Sequence, residues 1–553
     1  MAAVPQFDFI IVGGGTAACV LANRLTEDSS TRVLMIEAGS EASSMWIKMP
    51  IGISKLFTDP AVNWGYVTEP EAQLDNRGIY WPRGKVLGGC SSINGSAYVR
   101  GQAEDFDAWR QLGNAGWGWS DVLPYFQKLE HREGMAGKSE GMLSVSFPRY
   151  VHPIARAYIE AGVRAGLPAK DDLSNPMGEG VSLMPYSVRK GVRNSSAEAY
   201  LRPARKRPNL TVETSALVRR ILLDGRRATG VEFEQGGVIR QALASREVIL
   251  AAGAVNSPQL LMLSGIGPAR HLQEHGIAVV VDRPGVGENL HDHVYTTCSF
   301  RTAPWNSLNR QLRFPRVAWH GAAYFLAKRG PLTNGASQAC AMARALPDSP
   351  CADLQLVFRP MSHVYDRNMR ISLDPVDRVT GGVAYLRPKS RGRLYLKSAD
   401  PHQAPGLQAN YLADERDVQG MIAGMRWVRR IFQTEPMKSL ILSEDAPGDS
   451  CRTDDDIRNY LRQTAGTFCH PSGTCKMGQD AMSVVDEQLR VRGVEALRVV
   501  DASIMPALPS AGPAPAVFMI GEKGADLIKQ SQGRAGASEA ARVSSSSAAS
   551  MRP

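Results

Sequence analysis

Residues 7–12 (FDFIIV) are an apolar run of strand length, and they pass straight into GGGTAACVLANRL, a glycine turn followed by residues patterned for a helix. A second apolar strand, Arg32–Glu37 (RVLMIE), follows and ends in an acid. That order predicts a βαβ unit of the dinucleotide-binding kind, and it constrains the fold more than any other stretch of the chain. Gly13 permits the tight turn. Gly15 lets the backbone approach a pyrophosphate at a helix N-terminus, where unpaired N–H groups and the helix dipole favour anions. Ala18 keeps the helix close to the strand. Glu37, 22 residues beyond Gly15, is placed to accept hydrogen bonds from a ribose diol. An acid there argues against a 2′-phosphate, but it does not separate NAD from FAD.

Residues 82–101 (PRGKVLGGCSSINGSAYVRG) hold five glycines and four small hydroxyl or thiol residues in 20 positions. Such a segment makes poor helix or strand and suits a backbone lying against a flat or charged ligand. Further on come GAVNSPQLLMLSGIG at 253–267 and DASIMP at 501–506. Together these motifs resemble those of the glucose–methanol–choline (GMC) oxidoreductases, FAD-dependent enzymes acting mostly on alcohols. The resemblance spans residue 7 to about 530. WPRGKVLGG, NWGYVTEP and LRVVDASIMP look most like the branch of bacterial choline, alkanol and polyethylene-glycol dehydrogenases.

The resemblance implies a mixed α/β fold. An FAD-binding Rossmann-like domain would comprise 1–155, 196–295 and 464–535. A discontinuous substrate domain (156–195 and 296–463) would be built on an antiparallel sheet backed by helices. It implies that Thr16 and Ala17, with Gly13 and Gly15, cradle the FAD pyrophosphate and that Glu37 takes the adenosine ribose. Val86, Cys90, Asn94, Gly95, Ser96 and Ala97 would lie along the isoalloxazine, Val218 would meet the adenine, and Asp501 and Ala502 would return to the phosphates. Cys90 stands where Ser or Thr is usual. Ile93 occupies the position of the histidine that attaches FAD covalently in some members, so a non-covalent flavin is expected.

The residues themselves add organisation. In 380–400, TGGVAYLRPKSRGRLYLKSAD reads as two β-rich runs around a turn, an antiparallel hairpin. In 412–434, apolar residues at 418, 421, 425, 428 and 432 have helical spacing. From Arg534 the composition turns to Ala, Ser and Gly, which predicts a disordered tail over 536–553. The net charge of +10 comes with basic clusters such as RPARKR at 202–207 that lack interleaved aromatics, so a nucleic-acid groove is not indicated, whereas weak attraction to an anionic membrane stays open. No apolar run approaches the ~18–20 residues of a membrane span, and MAAVPQF shows no secretory signal. Eight scattered cysteines without a CxxC pair fit reduced thiols. A cytoplasmic protein, with a place peripheral to the inner membrane left open, is the resulting expectation.

Flavin-linked alcohol oxidation needs a group to take the hydroxyl proton, and histidine titrates in the right range. In CHPSGTCKMG, His470 matches the histidine that fills this role in GMC enzymes. Neither Cys469 nor Cys475 has partners at metal-ligand spacing, so no metal is expected. His291–Asp292–His293 (LHDHV) reads as a structural turn. The family normally carries a second His or Asn 44 residues after the catalytic histidine; here Ala514 stands there, with Gly512 in place of the preceding Asn. Ser510, a substrate-domain group or water could compensate. Alternatively the chemistry has moved towards a lyase or decarboxylase, activities that the resemblance also includes. The expected partners are an alcohol and an electron acceptor (a quinone, another acceptor or O2), used by a dehydrogenase rather than an oxidase. Trp305, Phe325, Phe358, Met361 and His363 are candidate substrate contacts, or core.

Overall fold

The computed structural model describes residues 4–134, 140–174, 177–365 and 370–549. β1 (Gln6–Val12) leads into α1 (Thr16–Leu25), and β2 (Val33–Ile36) returns parallel to β1 with Phe9 opposite Val33 and Val12 opposite Ile36. The last four residues of β1 and all of β2 are buried, as a parallel strand covered on both faces requires. On its other side β1 pairs with β3 (Val238–Leu250). The C-terminal part of β3 also pairs in parallel with Leu497–Val499. Its first part pairs antiparallel with Arg227–Gln235, which pairs in turn with Ala216–Asp224. Leu210–Glu213 completes this seven-stranded sheet against β2.

A second seven-stranded sheet is antiparallel. Its centre is β4 (Val294–Thr302), β5 (Leu354–Arg359) and β6 (Arg378–Tyr385), with β6 pairing both others; Ala339–Ala343 and Gly180–Leu183 extend it beyond β5. Between β4 and β5 the chain sends out α2 (Arg316–Ala327), of which only Tyr324 is buried. α3 (Glu415–Phe432) backs the sheet and buries Val418, Met421, Met425, Val428 and Phe432, the five positions its spacing singled out. Its approach is close: a Cβ on Gly424 would stand 2.2 Å from the Val383 side chain. The mixed fold class expected from the sequence is the one observed.

Two expectations fail. The β-rich runs of 380–400 do not pair with each other: Arg393–Tyr395 pairs with Gly406–Gln408. The intervening LRPKSRG is tied elsewhere, because the amides of Lys389 and Ser390 donate to Asp417 on α3 at 2.7 and 2.9 Å, which redirects the chain. The segment from 536, expected as a disordered tail, continues the last helix, α4 (Ala514–Ala549). Its many alanines, the best helix formers, extend a helix nucleated by the buried turns before it; 550–553 lie outside the described residues.

Candidate active site

A cavity of about 1620 Å³ runs from the C-terminal ends of β1 and β2 to the antiparallel sheet. At one end are Gly13, Gly15, Thr16, Ala17 and Glu37. The backbone of Gly13 has φ +99°, and a Cβ there would stand 2.7 Å from the Ala251 carbonyl oxygen. Gly15 caps α1 without a side-chain partner, and the first turn of α1 carries no acid, so the helix terminus is open to an anion. Glu37 accepts the amides of Gly14 at 2.6 Å and Gly39 at 2.7 Å. Burial pushes its carboxyl up to about 7, against the pull of those amides. The two glycine segments touch: Gly89 has φ +51°, and a Cβ on it would come within 2.8 Å of Gly15 Cα.

Cys90, Asn94, Gly95, Ser96, Ala97, Val218, Asp501 and Ala502 line the same cavity, as do Ile93, His470, Gly512 and Ala514. Val86 does not; it packs with Ile47, Leu56, Val62 and Ile93 beneath the segment. Asp501 accepts the Gly253 amide at 2.8 Å and the Ser257 hydroxyl at 2.6 Å, joining the strand end to the helix that follows β3. Sequence reading missed Arg193, which is fully buried and donates to Asn94 Oδ1 at 2.8 Å and Ser96 Oγ at 2.7 Å. It holds Ser96 at φ +59°, a left-handed conformation; nothing in RKGVRN distinguishes it from a surface arginine. An open helix terminus, a strand-end acid lining the same end of the cavity and a glycine-lined floor continuous with them fit FAD.

His470 faces the cavity and is enclosed by protein elsewhere. Its Nδ1 lies 2.9 Å from Nδ1 of His293. Nε2 of His293 is 3.0 Å from the Leu386 carbonyl. A carbonyl only accepts, so neutral His293 carries its proton on Nε2, and its Nδ1 must accept. His470 therefore carries its proton on Nδ1 and presents the Nε2 lone pair. Burial holds His470 well below the ordinary imidazole range, with His293 and the Arg83 guanidinium acting in the same direction. Burial likewise lowers His293 to about 3, although the Leu386 and Pro509 carbonyls oppose it. Both imidazoles are neutral at pH 7.

The LHDHV turn holds His470 in place. Asp292 accepts the His470 amide at 2.7 Å, the Tyr411 hydroxyl at 2.5 Å and the Thr467 hydroxyl, while His293 orients the ring. No group of three or more His, Cys, Asp or Glu suited to a metal occurs among the described residues. The sequence signal was available in the pairing of an acid and a histidine beside an apolar strand, but its partner lies 177 residues away.

Ser510 does not replace the missing partner. Its hydroxyl donates to Asp105 at 2.7 Å and accepts from Arg387 at 3.1 Å. Gly512 leaves His470 Nε2 open: a Cβ there would lie 3.3 Å from that nitrogen. Arg83 lines the wall and donates to the Cys469 carbonyl at 2.6 Å, holding Cys469 at φ +68°. Cys469 and Cys475 are free thiols. Phe325, Met361 and His363 line the cavity, whereas Phe358 stacks on Tyr158 in the core and Trp305 lies outside, 46% exposed.

Residues 7–295 and 388–521 match two family models, both described as GMC oxidoreductase. The chain belongs to the GMC oxidoreductase family. It is 42% identical to the oxygen-dependent choline dehydrogenase of Rhizobium etli, with 95% of each chain covered. It is 40% identical to the alcohol dehydrogenase [acceptor] of Pseudomonas putida, covering 95% of this chain and 96% of that one. Among solved structures, pyridoxine 4-oxidase from Mesorbium loti superposes with a TM-score of 0.84 at 30% identity, over 94% of this chain and 98% of that one. Formate oxidase of Aspergillus oryzae RIB40 gives 0.90 at 28% identity, over 96% and 99%. As a GMC oxidoreductase the chain is an FAD enzyme acting on CH–OH donors.

Proposed function

We propose that the chain oxidises an alcohol to an aldehyde or ketone, with His470 Nε2 taking the hydroxyl proton. The carrying observation is the His293–His470 hydrogen bond, which leaves that lone pair free and facing the cavity. Bound FAD supplies the acceptor for the hydride leaving the carbinol carbon. Gly13, Gly15, Thr16 and Ala17 hold its pyrophosphate, Glu37 its ribose, and Asp501 with Ala502 the returning phosphate side. Val218 borders the adenine. Cys90 and Asn94 through Ala97 support the isoalloxazine, and the buried Val86 supports them from below. These assignments follow the lining of the cavity and the open N-terminus of α1. With Ala514 unable to hydrogen-bond, one imidazole and the Arg83 charge constitute the polar wall at the reacting oxygen.

The flavin is non-covalent in this reading, because Ile93 offers no nucleophile. Denaturation with acid should release it to the supernatant. Reduction is tested by anaerobic mixing of holoenzyme with alcohols: absorbance near ~450 nm should bleach. His470→Ala should slow bleaching by about 10²–10⁴-fold, and an unchanged rate would refute the assignment. Product without bleaching would instead support a lyase or decarboxylase. We assign electron transfer to a quinone or similar acceptor, following the relative named alcohol dehydrogenase [acceptor]; the relatives named oxygen-dependent choline dehydrogenase make O2 the alternative. A peripheral place on an anionic membrane is supported by the exposed apolar residues of α2 and by the lack of Asp and Glu in the segment 302–347 that carries it.

A further inference from the structure

Beyond His470 the cavity extends along the antiparallel sheet, where its lining mixes apolar side chains with polar ones. One of these is Arg359, at the end of β5. Its guanidinium lies 5.6 Å from the Tyr295 ring, and its Nε donates to Ser337 Oγ at 3.4 Å. No Asp or Glu pairs with it among the described residues. A half-buried guanidinium without a counter-charge is costly unless an anion arrives to meet it.

The second observation is independent. Tyr186 is 2% exposed, lines the same cavity, and its hydroxyl has no hydrogen-bond partner. Arg359 is close enough to act electrostatically on that hydroxyl. Gly335 makes room for the ring, since a Cβ there would meet Tyr186 at 2.4 Å and the Gly95 carbonyl at 2.8 Å. Burying a hydroxyl unpaired costs free energy, which an accepting ligand would offset.

The only carboxylates lining the cavity among the described residues are Glu37 and Asp501, both at the dinucleotide end. A cationic substrate such as choline would meet no counter-ion on the sheet side, and would meet Arg359 instead. We propose that Arg359 and Tyr186 form a carboxylate subsite, so that the preferred substrate is an alcohol bearing a carboxylate: a hydroxy acid with an apolar or aromatic spacer. Arg359 is separated from His470 by two stacked rings: Tyr295 on Phe468 at 4.6 Å, with Phe468 4.7 Å from His470. An aromatic spacer has flat faces of its own to pack against these rings. The guanidinium fork donates to both carboxylate oxygens, and Tyr186 donates to one of them.

The substrate assignment rests on alcohol oxidation at His470, whereas the subsite does not, and the experiment separates the two. Holoenzyme is titrated with benzoate and with benzamide, following perturbation of the flavin spectrum. Benzoate should bind at least about 10-fold more tightly, and Arg359→Gln should weaken benzoate by about 10–100-fold, with Arg359→Lys intermediate. Equal affinity for benzoate and benzamide in the unaltered enzyme would overturn the subsite without any variant needing to fold. For turnover, the ratio of kcat/KM for 4-(hydroxymethyl)benzoate to that for its methyl ester should exceed one and fall in Arg359→Gln. A ratio unmoved by the substitution would overturn the substrate class. Benzoate binding without oxidation of any alcohol would refute the reading of His470 and leave the subsite standing.

Discussion

Two neutral imidazoles sharing one hydrogen bond place a lone pair in the cavity without help from a charged partner. His293 does not touch the cavity contents by this geometry; it acts by fixing the tautomer of His470. His293→Ala frees the His470 ring to exchange tautomers and admits water behind it. The limiting rate of flavin reduction should fall by about 10–100-fold. The pH–rate profile should also gain an acidic limb near the ordinary imidazole range, absent from the unaltered enzyme, and a purely structural role would leave that profile unmoved. Stability follows from the same burial. His293 titrates at about 3 in the folded chain against an ordinary 6.5, so below pH 6.5 the unfolded chain binds a proton that the folded one excludes. The contribution is fully present above 6.5 and is lost as pH falls, at about 1.4 kcal/mol per pH unit. Denaturant midpoints measured from pH 7 to 4 should fall steadily, and His293→Asn should flatten the decline.

At the scale of elements, the site depends on two glycine segments in direct contact. Gly89 combines φ +51° with only 2.8 Å between a would-be Cβ and Gly15 Cα, so any side chain would push the second segment off the first. Gly89→Ala should yield protein of reduced flavin content, read as the 450-to-280 nm absorbance ratio after purification, while Gly236→Ala, in an open turn, should not. These segments were legible in the sequence because their signal is local: strand, glycine turn, helix and acid lie within about thirty residues. α3 was legible for the same reason. The pairing of Arg393–Tyr395 was not, because a β-rich run does not declare its partner, and Asp417 redirects the chain from a different element. His293, Arg193, Arg359 and Tyr186 were missed on similar grounds. Each gains its role from groups far away in sequence, and each alone resembles an ordinary turn, surface or core residue.

At the scale of the whole molecule, basic charge and apolar exposure coincide along residues 302–347. Residues 302–347 contain six Lys or Arg and no Asp or Glu; Arg310 and Arg344 pair with Asp377 and Glu179 of other segments, which leaves Arg313, Arg316, Lys328 and Arg329 without a carboxylate partner among the described residues. Within the segment Phe314 is 85% exposed, Trp319 74%, Phe325 54% and Leu326 88%, most of them on α2. Val317, Gly321 and Phe325 of the same helix line the cavity, so this surface stands at its mouth. A helix with aromatic and aliphatic residues outward and basic residues at its flanks suits the interface of an anionic bilayer, where each Lys or Arg contributes about 1 kcal/mol. No helix among the described residues is long and apolar enough to cross a membrane. Holoenzyme should co-sediment with vesicles containing phosphatidylglycerol, bind pure phosphatidylcholine vesicles weakly, and be released by high salt, since screening shortens electrostatic reach. Trp319→Ser with Leu326→Ser should weaken sedimentation while flavin content stays intact. Failure of the unaltered enzyme to bind anionic vesicles would refute the membrane assignment. Concentration-dependent dimerisation abolished by the same pair would assign the surface to a second copy of the chain.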